Sequence, residues 1–327
     1  MVWPTAAQAL DPWTGARILV AAGVYAAAML AIGSRLLLHA FPGLGAAEAG
    51  RTARGGAMAA ALGIGLVVLQ WPLQSGYLGG GSLQAAVDPA LLTLVYGSPL
   101  GDRMLLAVAG MSLLLASMAG ARSFAAWPCR LIGVAGISLL LLAFVQVGHT
   151  RNEPRGVLVA LLCLHLLAVA FWMSALAPLF RLASATDTVH AGTVLARFGR
   201  IGLMFVPVLV AAGLGLAWLL LGSAQALLTT AYGQLLLGKV GLVAALLGIA
   251  ALNKLRLVPA LARGDVRARR GLRRSILAEA LLMAAVLLST AALTTLASPR
   301  DPPGETAPTS QARSSPPHHA ATIGDRE

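Results

Sequence analysis

Gln146, His149 and His165 stand in or at the ends of strongly apolar stretches, where a polar side chain is costly to place. Gln146 and His149 are three residues apart, a spacing that puts both on one face of a helix. His165 lies in the next stretch, eight residues in. At a rise of about 1.5 Å per residue that is roughly 12 Å deep. Trp172 follows seven residues later, about two turns on, and shares that face. Neutral imidazole is the commonest metal ligand, and its ordinary pKa of about 6.5 leaves it mostly uncharged at neutral pH. Asn253, Glu279 and Lys239 complete the polar set. Lys239 falls near the outer end of its stretch, where its stem can snorkel to lipid headgroups. Glu279 reads either as a proton relay or as a partner of the arginines just before it.

Soft ligands are also available. The chain has 9 methionines, among them Met29, Met111, Met173, Met204 and Met283 inside apolar stretches. Most methionines in such helices are packing residues, but Met173 could add a sulfur close to Trp172. Thioether and imidazole suit Cu(I) better than hard cations, and no helix-borne carboxylate cluster is present for Ca²⁺ or Mg²⁺. A transition metal handled here is first read as copper, as Cu(I) ahead of Cu(II). Cys163 is two residues from His165, on nearly the opposite face, and with Cys129 reads as packing. His318 and His319 in the tail are an incidental pair. The run from Gly233 to Lys239 imitates a phosphate-binding loop. Val240 stands where Ser or Thr should hold Mg²⁺, and no strand precedes the run, so no nucleotide is expected.

These residues must be positioned by helices in a membrane. The chain of 327 residues is 58% hydrophobic and 11% charged, against about 25% charged in a soluble domain. Apolar runs at 16–38, 55–73, 104–121, 131–148, 157–180, 201–221, 235–252 and 276–296 each approach the length of a bilayer crossing. They lack the two-residue alternation of a barrel. The expectation is all-α: a polytopic transmembrane bundle of about eight helices over residues 1–297, with a disordered tail over 298–327. Pro207 is expected to kink the sixth helix. No cleavable leader is expected, since the first 15 residues carry no Lys or Arg.

The basic excess, 24 Lys and Arg against 12 Asp and Glu, falls mainly in alternate loops: around Arg51, Arg122, Arg181 and the stretch from Lys254 to Arg274. That is the signature of one cytoplasmic side, not of nucleic-acid binding. Both termini, and the long Gly-rich loop 74–103, are then expected on the periplasmic side. No structure is assigned to that loop.

The second half resembles the CopD family of bacterial copper-resistance membrane proteins. The residues that carry the resemblance are Gly148-His149, the run from His165 to Trp172, and the stretch from Thr230 through Tyr232 to Lys239. It continues in Ala251-Leu-Asn253-Lys254, Pro259, Leu272-Arg273-Arg274 and Glu279. The pattern extends over residues 148–299, with one departure: Ser174-Ala175 stand after Trp172-Met173 where the family usually has two glycines. The resemblance implies an inner-membrane protein of eight helices that takes copper from the periplasm, commonly with a separate periplasmic carrier of the CopC type. It implies His149 and His165 as copper contacts. Gln146, Trp172, Met173, Tyr232, Lys239, Asn253 and Glu279 are the accompanying pathway residues. The chain is read as a copper transport and homeostasis protein, not an enzyme. Two rivals stand beside it: a docking partner that presents copper without moving it, and a b-type haem protein, which needs two histidines at similar depth.

Overall fold

The computed structural model describes residues 11–41, 44–119, 127–146, 154–184, 188–221, 224–229 and 231–296. Among them the chain is helical. The elements are α1 (Pro12–Ala40), α2 (Ala46–Leu78), α3 (Leu83–Ala86), α4 (Pro89–Tyr96), α5 (Pro99–Ala119), α6 (Trp127–Val145), α7 (Arg155–Leu182) and α8 (Thr188–Leu221). Then come α9 (Ala224–Thr229), α10 (Ala231–Leu252), a π-helical turn at Asn253–Leu257, α11 (Val258–Ala262) and α12 (Val266–Leu296). Eight helices are long and apolar enough to cross a membrane: α1, α2, α5, α6, α7, α8, the unit α10–π–α11, and α12.

Local signals explain where the helices begin. The Asp11 carboxylate caps α1, accepting from the Thr14 amide at 3.1 Å, and Pro12 occupies the first turn, where no amide donor is needed. Asp88 and Pro89 open α4 in the same way. The π turn precedes Pro259, whose ring cannot sit in a regular ladder. Pro207 lies inside one continuous helix, α8, which runs through it.

α1 is the hub. It packs on α2, α7 and α12, with further contact to α5 and α6. Its residues Ala28, Ala31, Ile32 and Leu37 are fully buried. Small residues make this possible. A side chain at Gly33 would meet the Ala170 carbonyl and Ser174 of α7, so only glycine permits the α1–α7 approach. Gly63 and Gly56 of α2 are notches filled by the thioethers of Met111 and Met118 of α5. The core of the first half gathers on these contacts, with Met29, Met104, Met111 and Leu114 inside it. Among the described residues of the second half α8 packs on α7 and α11, and α10 on α12, with little direct contact between α8 and α10.

The loop left unassigned by sequence is built. α3 and α4 pack on α2, and α4 reaches α5. Trp71 donates to the Leu92 carbonyl at 2.9 Å and stacks on Tyr96, while Ser75 donates to the Ala85 carbonyl at 2.7 Å. Gly80 and Gly81 adopt positive φ, which turns the chain back at this point.

The opposite end of the bundle is the basic one. Arg181 of α7 and Arg51 both reach Glu48 at the start of α2, at 3.0 and 2.9 Å. Arg197 lies over the Phe41 ring and Arg273 over Phe180. Basic residues from α2, α7, α8 and α12 therefore meet at one end, as the alternate-loop pattern expects.

Candidate functional site

α7 presents two faces. One is turned to α1 through Ala170 and Ser174, and the Ser174 hydroxyl donates to the Leu30 carbonyl at 3.2 Å. Ser174 and Ala175 are both buried, so the departure from two glycines keeps the close helix packing. The other face carries His165 and Trp172 toward α8, α10 and α12.

His165 lies ten residues after the start of α7, about 15 Å along its axis and near the middle of the span. Its ring rests against the α8 turn from Leu209 to Gly213; a Cβ at Gly213 would stand 3.4 Å from Cε1 and 3.5 Å from Nδ1. Nδ1 is buried and makes no hydrogen bond of ordinary geometry among the described residues, with the Leu209 backbone beside the ring. An orphaned imidazole nitrogen in an apolar setting is costly, and a soft metal ion is one species that would satisfy it. Lys239 of α10 is half-buried and acts electrostatically on His165. It is therefore a neighbour of the candidate ligand, and not only the headgroup anchor that its position in the sequence suggests.

Toward the basic end, three expected residues come together. Trp172 Nε1 donates to Glu279 Oε2 at 3.3 Å, and Asn253 Nδ2 donates to Glu279 Oε1. Glu279 is 4% exposed and Asn253 8%, so the cluster lies inside the protein. The π turn begins at Asn253, and such turns re-aim a side chain that a regular helix would carry past its partner. Glu279 takes donors from Trp172 and Asn253, neither of them an arginine, so the arginine-partner reading gives way.

Other expected residues stand apart. Met173 faces α1 and, with Met283, lines a groove of about 670 Å³ between α1, α7 and α12. Its neighbours are not those of His165, so a shared sulfur–imidazole site is not formed there. Gln146 sits in a bend after α6, which closes at Val145, and its expected shared face with His149 lies outside the described residues. His149 and the tail 298–327 lie outside the described residues, as does the Tyr232 side chain, although its backbone opens α10. The stretch Gly233–Lys239 is α-helix, not a phosphate loop. Among the described residues no three His, Cys, Asp or Glu side chains converge as a metal cage. The pairing of Asn253 with Glu279 and Trp172 was missed as a pairing, though each residue was singled out. Hydropathy identifies costly residues but not which helices are neighbours.

Comparison with known proteins bears on these residues. The chain is 32% identical over 258 residues to the copper transport protein CutJ of Bacillus subtilis (strain 168), covering 75% of this chain and 46% of that protein. The chain thus spans about half the length of this curated relative. No solved structure matches it. The family described as copper resistance protein D, CopD, matches residues 192–293. That interval contains Lys239, Asn253 and Glu279 and ends before the close of α12, while His165 and Trp172 precede it. Residues 192–293 thus match the copper resistance protein D family, in a chain with eight helices long and apolar enough to cross a membrane.

Proposed function

We propose that this chain carries copper across the bacterial inner membrane, inward from the periplasm, and that it is not an enzyme. The observation that supports this most is His165, held at mid-span with an unpartnered nitrogen, in a chain with a CopD domain and a copper-transport relative. Copper would be received at the non-basic end near Gln146 and His149, bound in passing by His165, and released past Trp172, Asn253 and Glu279 to the cytoplasm. The basic end is assigned to the cytoplasm because Lys and Arg collect on that side. Cu(I) is favoured as cargo, since an imidazole with few other donors suits a soft ion of low coordination. A separate carrier of the CopC type would deliver it.

The experiment is copper uptake by cells carrying wild type, His149→Ala or His165→Ala, with the protein levels matched. Each variant is expected to lower uptake several-fold. Uptake unaltered in both removes the reading. Vesicles containing the purified chain distinguish transport from mere presentation: accumulated copper supports transport, and binding without accumulation supports a docking role.

A further inference from the structure

The cluster at Glu279 has a feature that the passage of copper does not explain. The carboxyl is buried, each of its oxygens faces one neutral donor, and the carbonyl oxygen of Asn253 is buried with no partner. Burial of a carboxylate normally demands a cation, yet the two side chains hydrogen-bonded to Glu279 are both neutral. The ionisable residues on the elements packed around it are accounted for elsewhere or lie along their helices away from the cluster. They include Lys239 on α10, His165, Arg155 and Arg181 on α7, Lys254 and Arg256 on the π turn, Arg267, Arg269, Arg270, Arg273 and Arg274 on α12, and Arg17 and Arg35 on α1. Arg181 is paired with Glu48, Arg273 lies over Phe180, and the Arg35 stem packs on Gly133 of α6.

A protonated carboxyl resolves both anomalies. An acid and a primary amide are complementary: the amide N–H donates to one carboxyl oxygen while the acid O–H donates to the amide oxygen. Asn253 Nδ2 already donates to Oε1. A proton on Oε2 would give the orphaned Asn253 Oδ1 its missing donor and leave a lone pair on Oε2 for Trp172 Nε1. We infer that Glu279 is a proton-carrying site, built by Asn253 and Trp172 to hold the neutral acid, and that its proton exchange is the step to which copper movement is coupled. Binding forms one O–H bond at Oε2 and turns a hydronium ion and a carboxylate into water and a carboxyl; release is the reverse. The coupling rests on the transport reading above, whereas the proton site does not.

The test is infrared difference spectroscopy of the whole purified protein in lipid, without copper. A protonated carboxyl has a carbonyl stretch that a carboxylate lacks. Wild type at neutral pH is expected to show this band, Glu279→Gln to lose it, and Asn253→Leu, which keeps the carboxyl but removes the amide, to shift it. A spectrum in which Glu279→Gln removes no such band between mildly acidic and neutral pH overturns the proton site. Vesicles carrying an internal pH dye then receive Cu(I). A pH change that accompanies copper entry in wild type and is absent in Glu279→Gln supports coupling. Copper entry in wild type with no pH change overturns the coupling but leaves transport intact. If the band is present but wild type moves no copper, the transport reading fails and the proton site stands.

Discussion

A transport ligand must bind its cargo and also let it go, and His165 is placed for both. Its ring offers one donor nitrogen, and a charged ammonium at Lys239, when present, would disfavour a second cation there. Purified protein is therefore expected to hold well under one copper per chain by elemental analysis even when it transports. Lys239→Met should raise that occupancy and slow release; unchanged occupancy would remove Lys239 from this role. The ring also needs its place against α8. Gly213→Leu puts a branched side chain where a Cβ alone already stands 3.4 Å from the imidazole, so uptake should fall several-fold while the protein still accumulates. The depth of His165 was legible in the sequence, because the apolar run around it fixes where it stands along its helix. Its contact with Gly213 was not, since one glycine among many in lipid-facing helices carries no mark of its neighbour.

At the scale of elements, hydropathy located all eight spans, since an uncompensated polar backbone or side chain is excluded from lipid. Helix ends were less legible. α2 runs on to Leu78, through Pro72, because Trp71, Ser75 and Tyr77 near its end find partners that a run of apolar residues does not announce. α3 and α4 have four and eight residues, too short to be stable alone, and exist because α2 receives them. Trp71→Phe removes the bond to Leu92 and should cost about 1 kcal/mol locally. Faster amide hydrogen exchange confined to residues 83–96 is the expected readout. The role of the π turn was less legible: Pro259 just after it is a local signal, but nothing in the sequence says that Asn253 meets Glu279 on another helix.

For the whole molecule, close approach outweighs charge in holding the two halves together. Arg181 and Glu48 link α7 to α2, but the pair is partly solvent-exposed, and such bridges contribute about 0–1 kcal/mol. Glu48→Gln should barely shift the thermal midpoint. Gly33→Leu drives a side chain into the α7 backbone, which cannot yield as a flexible side chain would. Its expected outcome is loss of folded protein, measured as the monodisperse fraction in size-exclusion chromatography. In the second half α8 meets the following span through α11, and not along α10.

The hub position of α1 also has a consequence during synthesis. Tyr25 of α1 meets Thr294 of α12 at 3.1 Å, a contact between residues 269 positions apart. At ribosomal rates of about 5–20 residues per second, the first helix waits on the order of tens of seconds for the last. Over that interval α2, α5 and α6 can gather on α1, while its flank for α7 and α12 stays open to lipid tails. Nascent chains arrested before residue 266 should therefore already protect α1, α2, α5 and α6 from protease. Closure of the bundle becomes a late event in the life of each new chain.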